Sequence, residues 1–240
     1  MWSCEISINK EYHREFDYLE SHIKQCKDLS FAVEESRERY FIYVATLCDN
    51  REEVQKLIEK AICEVYLTYM KLSFFIQKIE HNELSHSFVA LLSSLLFFDR
   101  PFEESIILKS LHEVASYNID GILNFRLRSM TSNWEELSNL ANNLVKVATT
   151  PDDVFNVATF LVSTEGGKNK LLIEKSSVFK IYNTTENCTV EIKNVFAEPE
   201  HNLILAAISE CPSEIVLRDV NLSSSMQHTL EKLARVQIEK

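Results

Sequence analysis

Glycine is nearly missing from this chain: Gly121, Gly166 and Gly167 are the only three among 240 residues. Phosphate cradles need closely spaced glycines, so neither a P-loop nor a G-x-G-x-x-G turn can be written here. That argues against a classical nucleotide-binding enzyme. Basic residues are also in deficit, 25 Lys and Arg against 36 Asp and Glu, for a formal charge of −11. Nucleic acid and anionic lipid require a cationic footprint, and the overall field of this chain opposes both. No apolar run is long enough to span a bilayer. The longest, Phe88 to Phe98, reads FVALLSSLLFF and falls well short of the roughly 20 residues a span requires. It is expected to be a buried helix.

The six cysteines are Cys4, Cys26, Cys48, Cys63, Cys188 and Cys211, and the closest two, Cys48 and Cys63, stand 15 positions apart. No C-x-x-C knuckle can be drawn, which removes the common zinc ribbons. Residues 1–10 carry Glu5 and Lys10 and contain no apolar leader. The expectation is a cytoplasmic protein with six free thiols and no cofactor. What the chain has in quantity is core material: hydrophobic residues make up 45%, with 14 Phe and 8 Tyr, the balance of an ordinary globular protein.

Trp2–Ile8 alternates as a strand does, and Tyr12, Phe16, Leu19, Ile23 and Cys26 follow at helical spacing. Leu29–Glu35 and Arg39–Leu47 are β-rich and are joined at Ser36-Arg37-Glu38, a hairpin whose turn lacks glycine. Asp49 and Asn50 are N-cap types before a long helix running to about Ile79. Residues 83–163 read as helices throughout, with Pro101 and Pro151 in first turns. After Gly166-Gly167 come β-type runs at Lys170–Glu174, Val178–Tyr182 and Thr189–Val195, a helix over 199–210, a strand at Glu214–Val220, a helix over Ser223–Ala234 and a strand at Val236–Ile238. The predicted fold class is α+β: an N-terminal β-α-β-β-α lobe over 1–80, an all-helical centre over 81–163, and a C-terminal α+β lobe over 164–240. Its strands come in hairpin-length groups, which favours an antiparallel or mixed sheet.

The run Asp120-Gly121-Ile122-Leu123-Asn124-Phe125-Arg126-Leu127 resembles the "dGF-x-x-FRL" signature of the YtxC-type sporulation proteins of endospore-forming bacteria. Leu95-Leu96-Phe97-Phe98-Asp99 is similar to that family's aromatic run before its middle helix. Asn202–Ile208, Cys211-Pro212 and Glu214–Leu217 resemble its "LLIS-x-LI…P-x-x-I" segment. Order and spacing agree over roughly residues 95–240. Ile122 and Met130 depart from the family's aromatics, and the Asn-rich stretch Asn139–Asn143 replaces an acidic helix, so the chain reads as a divergent member. The resemblance implies a cytoplasmic protein of a spore-former; it implies no reaction and carries over no functional residue.

No catalytic set is legible. The seven histidines are scattered, and His81 and His86 are five apart, off the i,i+4 spacing of helical zinc ligands. The serines sit in neither G-x-S-x-G nor S-x-x-K, and Ser223 has the place of a helix cap. Glu52-Glu53, Glu103-Glu104 and Glu135-Glu136 occupy first helical turns, where the macrodipole favours carboxylates. One residue is awkwardly placed. At 100° per residue a continuous helix would put Leu108, Leu111, Ala115, Ile119, Ile122 and Arg126 on one stripe, with Arg128 pointing away. A guanidinium there must find a carboxylate or a ligand. Arg126, with Asn124 and Asp120, is therefore the candidate binding or buried-pair site, provided that Asn118-Ile119-Asp120 does not break the helix. The expected function is a non-enzymatic interaction or regulatory protein of the sporulation programme with an unknown protein partner and no membrane association. A nucleic-acid-binding regulator, argued by Phe125-Arg126-Leu127-Arg128, is the alternative, and a small-molecule enzyme comes third.

Overall fold

Alternation in the first strand and 3.6-residue periodicity in the first helix set the N-terminal architecture. The computed structural model describes residues 2–26, 29–47, 51–80, 83–112, 114–148, 150–163, 167–175 and 177–239. It has the predicted α+β arrangement: an N-terminal β-α-β-β lobe, a helical middle and a C-terminal lobe on a mixed sheet. By packing, the chain forms two units, Met1–Phe74 with Asp99–Glu136, and Phe75–Phe98 with Leu137–Lys240.

In the first unit, β1 (Trp2–Asn9) buries Cys4, Ile6 and Ile8. It pairs antiparallel with β3 (Arg39–Thr46), from Trp2 opposite Thr46 to Asn9 opposite Arg39, and β3 pairs antiparallel with β2 (Ser30–Glu35). The hairpin turn manages without glycine because Ser36 closes it: its Oγ accepts from the Arg39 N–H at 3.0 Å, and its own N–H donates to the Arg39 carbonyl at 2.9 Å. Helix α1 (His13–Lys24) buries Phe16, Leu19 and Ile23. The long helix comprises α2 (Arg51–Glu64), a π-helical stretch at Val65–Met70 and α3 (Lys71–Lys78); the proposed caps Asp49 and Asn50 lie outside the described residues. Lys71, fully buried at its end, is held by Glu103 Oε2 at 2.6 Å, while Trp134 Nε1–H donates to Glu103 Oε1 at 2.7 Å. A buried charge is tolerated only when so paired.

The helical middle has one break. Helix α5 (Arg100–His112) ends well before α6 (Ile119–Phe125), and between them β4 (Tyr117–Asn118) lies parallel to β1, Ile6 opposite Tyr117 and Ser7 opposite Asn118. Asn118 then caps α6, its Oδ1 accepting the Gly121 N–H at 3.0 Å. Gly121 is required by proximity, since a Cβ there would stand 2.9 Å from Asn118 Oδ1. Helix α7 (Arg128–Val147) follows.

In the second unit the strand order is β7-β6-β5-β8-β9. Strands β5 (Asn169–Lys175), β6 (Phe179–Asn183) and β7 (Cys188–Val190) form an antiparallel meander. Strands β8 (Pro212–Arg218) and β9 (Arg235–Glu239) add in parallel on the other side of β5. The apolar run FVALLSSLLFF lies at the centre of the unit's core: α4 (His86–Phe97) is buried from Ser87 to Leu96 and packs on α8 (Pro151–Ser163) and α9 (Pro199–Ser209). A helix apolar all round is a core helix when it is this short. Gly167 is a second place with no room for a side chain, where a Cβ would meet the Cys211 carbonyl oxygen at 2.7 Å. Helix α10 (Ser224–Leu233) joins β8 to β9. No helix among the described residues is long and apolar enough to cross a membrane.

Candidate functional site

The segment 117–128 carries the three residues singled out by the sequence, and the structure sends them in two directions. Asp120 faces the sheet. Its Oδ1 accepts from Arg39 Nη2 at 2.7 Å and from the Asn9 N–H at 3.0 Å, and its Oδ2 accepts from Arg39 Nη1 at 3.0 Å. Arg39 Nη2 also donates to Asn118 Oδ1 at 2.8 Å. Burial alone would raise the Asp120 carboxyl; the hydrogen bonds and charge of Arg39, with the Asn9 N–H, outweigh it and hold the group below its ordinary value. Tyr66 Oη–H donates to the Ile119 carbonyl at 2.8 Å, a second anchor from the π-helical stretch.

Asn124, Phe125 and Arg126 face the other way and are exposed, Phe125 at 86%. The stripe from Leu108 to Arg126 does not exist as one helix: the chain leaves α5 at His112, pairs with β1 and restarts its helical phase at Ile119, so Ile119 and Ile122 are buried while Arg126 is the exposed C-cap of α6. The expectation of a buried Arg126 is therefore corrected. The buried-side arginine is Arg39, and it takes the carboxylate that Arg126 was expected to need. Arg128 is exposed as well, whereas Leu127 and Met130 are buried. Asn118 as an N-cap type two residues before an acidic first-turn position was the available sign of a new helix start.

On the near side of the same segment, Tyr117 reaches α2. Its Oη–H donates to Glu59 Oε1 at 3.1 Å, and Gln55 Nε2–H donates to that oxygen at 2.8 Å. Glu59 is 5% exposed and lies in a cleft of about 1060 Å³ between α2 and α5, lined also by Arg51, Lys56, Lys60, Leu108 and His112. No signal in the sequence marked this cleft, because Glu59 reads as one more charge on an amphipathic helix.

In the second unit, His86 Nδ1 stands 2.8 Å from Ser225 Oγ, and its Nε2 stands 3.4 Å from Glu200 Oε2. A serine, an imidazole and a carboxylate in a row invite comparison with a nucleophilic centre. The carboxylate, however, is engaged by the cap: Ser223 Oγ–H donates to Glu200 Oε2 at 2.6 Å and the Ser223 N–H to Oε1 at 3.1 Å. Ser223 is the N-cap of α10, as its sequence position predicts, with its Oγ accepting the Met226 N–H. The group ties three helix starts together. His81 lies outside the described residues, and among the described residues no cluster of three or more His, Cys, Asp and Glu could hold a metal ion.

No family model, curated protein or solved structure matches this chain.

Proposed function

We propose that the chain is a non-enzymatic interaction or regulatory protein of the sporulation programme, and that it meets a protein partner through Asn124, Phe125, Arg126 and Arg128. The sporulation assignment and the cytoplasmic setting that goes with it are supported by the signature-like run Asp120–Leu127 and the similar segments before and after it. The contact surface is supported by one observation above the rest: Phe125 is 86% exposed. Burying a Phe side chain is worth about 1.5–3 kcal/mol, and here that gain is forgone on a helix fixed to the sheet through Asp120 and Arg39. An exposed aromatic beside arginines, on a rigid support, has the composition of an interface hot spot.

A nucleic-acid contact is the second reading, favoured by two exposed arginines within three positions of the same ring and opposed by the −11 charge. A pull-down from sporulating cells with wild type and Phe125→Ala, with and without nuclease, tests both. The proposal expects a captured protein that survives nuclease and is lost with Phe125→Ala. Capture unaffected by the substitution refutes the surface. Capture abolished by nuclease, with submicromolar binding to duplex in a gel shift at physiological salt, favours the second reading; the first expects no binding tighter than about 10 μM.

A further inference from the structure

We propose that the free edge of β2 takes up an extended strand from a basic protein partner, with apolar side chains on the strand's core-side face and arginine or lysine on its other face. This goes beyond the protein contact proposed for Phe125 and does not depend on it.

The main chain supplies the edge. Strand β2 stands at the end of the order β2-β3-β1-β4 and pairs with β3 alone. Antiparallel pairs alternate between those that exchange N–H···O=C bonds and those that do not. The Ser36 N–H donates to the Arg39 carbonyl at 2.9 Å. Counting back from that pair turns the N–H and C=O of Glu35, Val33 and Phe31 away from β3. Natural sheet edges are commonly blunted by lysine, proline or a bulge. Ser30–Glu35 contains neither lysine nor proline, and its register with β3 runs without a shift. Such an edge accepts a further strand by main-chain hydrogen bonding.

The side chains set what that strand must carry. Phe31 stands opposite Val44 and Val33 opposite Ile42, yet Val44 and Ile42 are each 1% exposed while Phe31 is 36% and Val33 41% exposed. The apolar face of the sheet thus continues onto β2 without cover, and an apolar residue directly across from each would close it. On the opposite face a trough of about 600 Å³ is lined by Ala32, Tyr43, Ala45, Ser3 and Glu5. Tyr43 Oη–H donates to Glu34 Oε2 at 3.3 Å, so a ring and a carboxylate lie together beside the small Ala32. Lys10 pairs with Glu35, but no ion pair among the described residues takes Glu5 or Glu34. An arginine or lysine lying over Ala32 meets both the ring and the carboxylate. Those charges, in a chain of −11, favour a basic partner over a second copy of this chain.

The test is fluorescence anisotropy with the full chain and a labelled peptide of about ten residues, long enough for one strand, in which valine alternates with arginine. The controls are the same composition arranged in blocks, and the alternating peptide with glutamate for arginine. The proposal expects saturable binding of the alternating basic peptide at physiological salt, at least about tenfold tighter than either control. Val33→Pro removes an N–H that points away from β3 and spares the ladder, as proline does on edge strands. It should weaken binding at least about tenfold with the circular dichroism unchanged. Should that variant fail to fold, Glu34→Lys serves in its place and should move the preference to the glutamate peptide. Phe125→Ala should bind the peptide as wild type does, which separates this edge from the surface proposed above. No binding, equal binding of the three peptides, undiminished binding in the β2 variants, or loss with Phe125→Ala overturns the proposal. So does a dimer in sedimentation velocity that Val33→Pro disperses, because a second copy would then fill the edge.

Discussion

Removing Asp120 should cost the first unit more than removing either Arg126 or Arg128. Asp120→Ala deletes two hydrogen bonds from Arg39 and one from the Asn9 N–H, and leaves a guanidinium that is 25% exposed without its carboxylate. Breaking a fully buried pair costs about 3–5 kcal/mol. Here the Asp120 side chain is 19% exposed and water screens the loss, so about 2 kcal/mol is expected. In urea that corresponds to a midpoint lower by roughly 1 M, read by far-ultraviolet circular dichroism. Arg126→Ala, at the exposed end of α6, should stay within about 1 kcal/mol of wild type. The pH dependence has a definite sign. The folded carboxyl titrates below its ordinary value of 3.8, so its contribution is complete above that value and disappears as the pH falls through the lower, folded one. The difference between wild type and Asp120→Ala should therefore be constant near neutrality and vanish in strong acid. A silent Asp120→Ala beside a costly Arg126→Ala would refute this assignment and restore the continuous helical stripe.

The thiols give a second prediction: a native-state titration should modify the exposed Cys188 first, while Cys4 and Cys63, whose thiols burial pushes up to about 12, react only on unfolding. Five of the cysteines are free among the described residues and Cys48 lies outside them, so fewer than six thiols in denaturant before reduction would contradict the reduced-compartment expectation. A third concerns Gly121. Gly121→Ala places a methyl group 2.9 Å from the capping Asn118 and should destabilise by about 1–2 kcal/mol, the usual worth of an N-cap; a neutral result in denaturant titration would show that the cap can move aside.

Much of the fold was legible because its causes are local. The Trp2–Ile8 alternation, the 3.6-residue spacing of Phe16, Leu19 and Ile23, and the prolines in the first turns of α5 and α8 each declare an element from within a few residues. The Ser36 turn was legible as a hairpin despite lacking glycine, since β-rich runs flanked it. The candidate site was legible only in part. Asp120 does enter an ion pair, but its partner lies 81 positions away on β3, at a distance no periodicity reports. The Glu59 cleft was invisible for the same reason: its floor is made by Tyr117 from a strand 58 positions downstream.

The phase of residues 108–126 shows the division most clearly. Sequence by itself determined that these residues prefer helix and that Leu111, Ile119 and Ile122 seek burial, which they find. Tertiary structure decided where the helix stops. The edge of β1 offers backbone hydrogen-bond partners at Ile6 and Ser7 that Tyr117 and Asn118 meet. An edge strand left unpaired and a helix continued through 113–118 compete, and the paired strand, with Asn118 capping the next helix, satisfies more backbone groups. That single interruption turns Phe125 and Arg126 outward, and local propensity has no means of anticipating it.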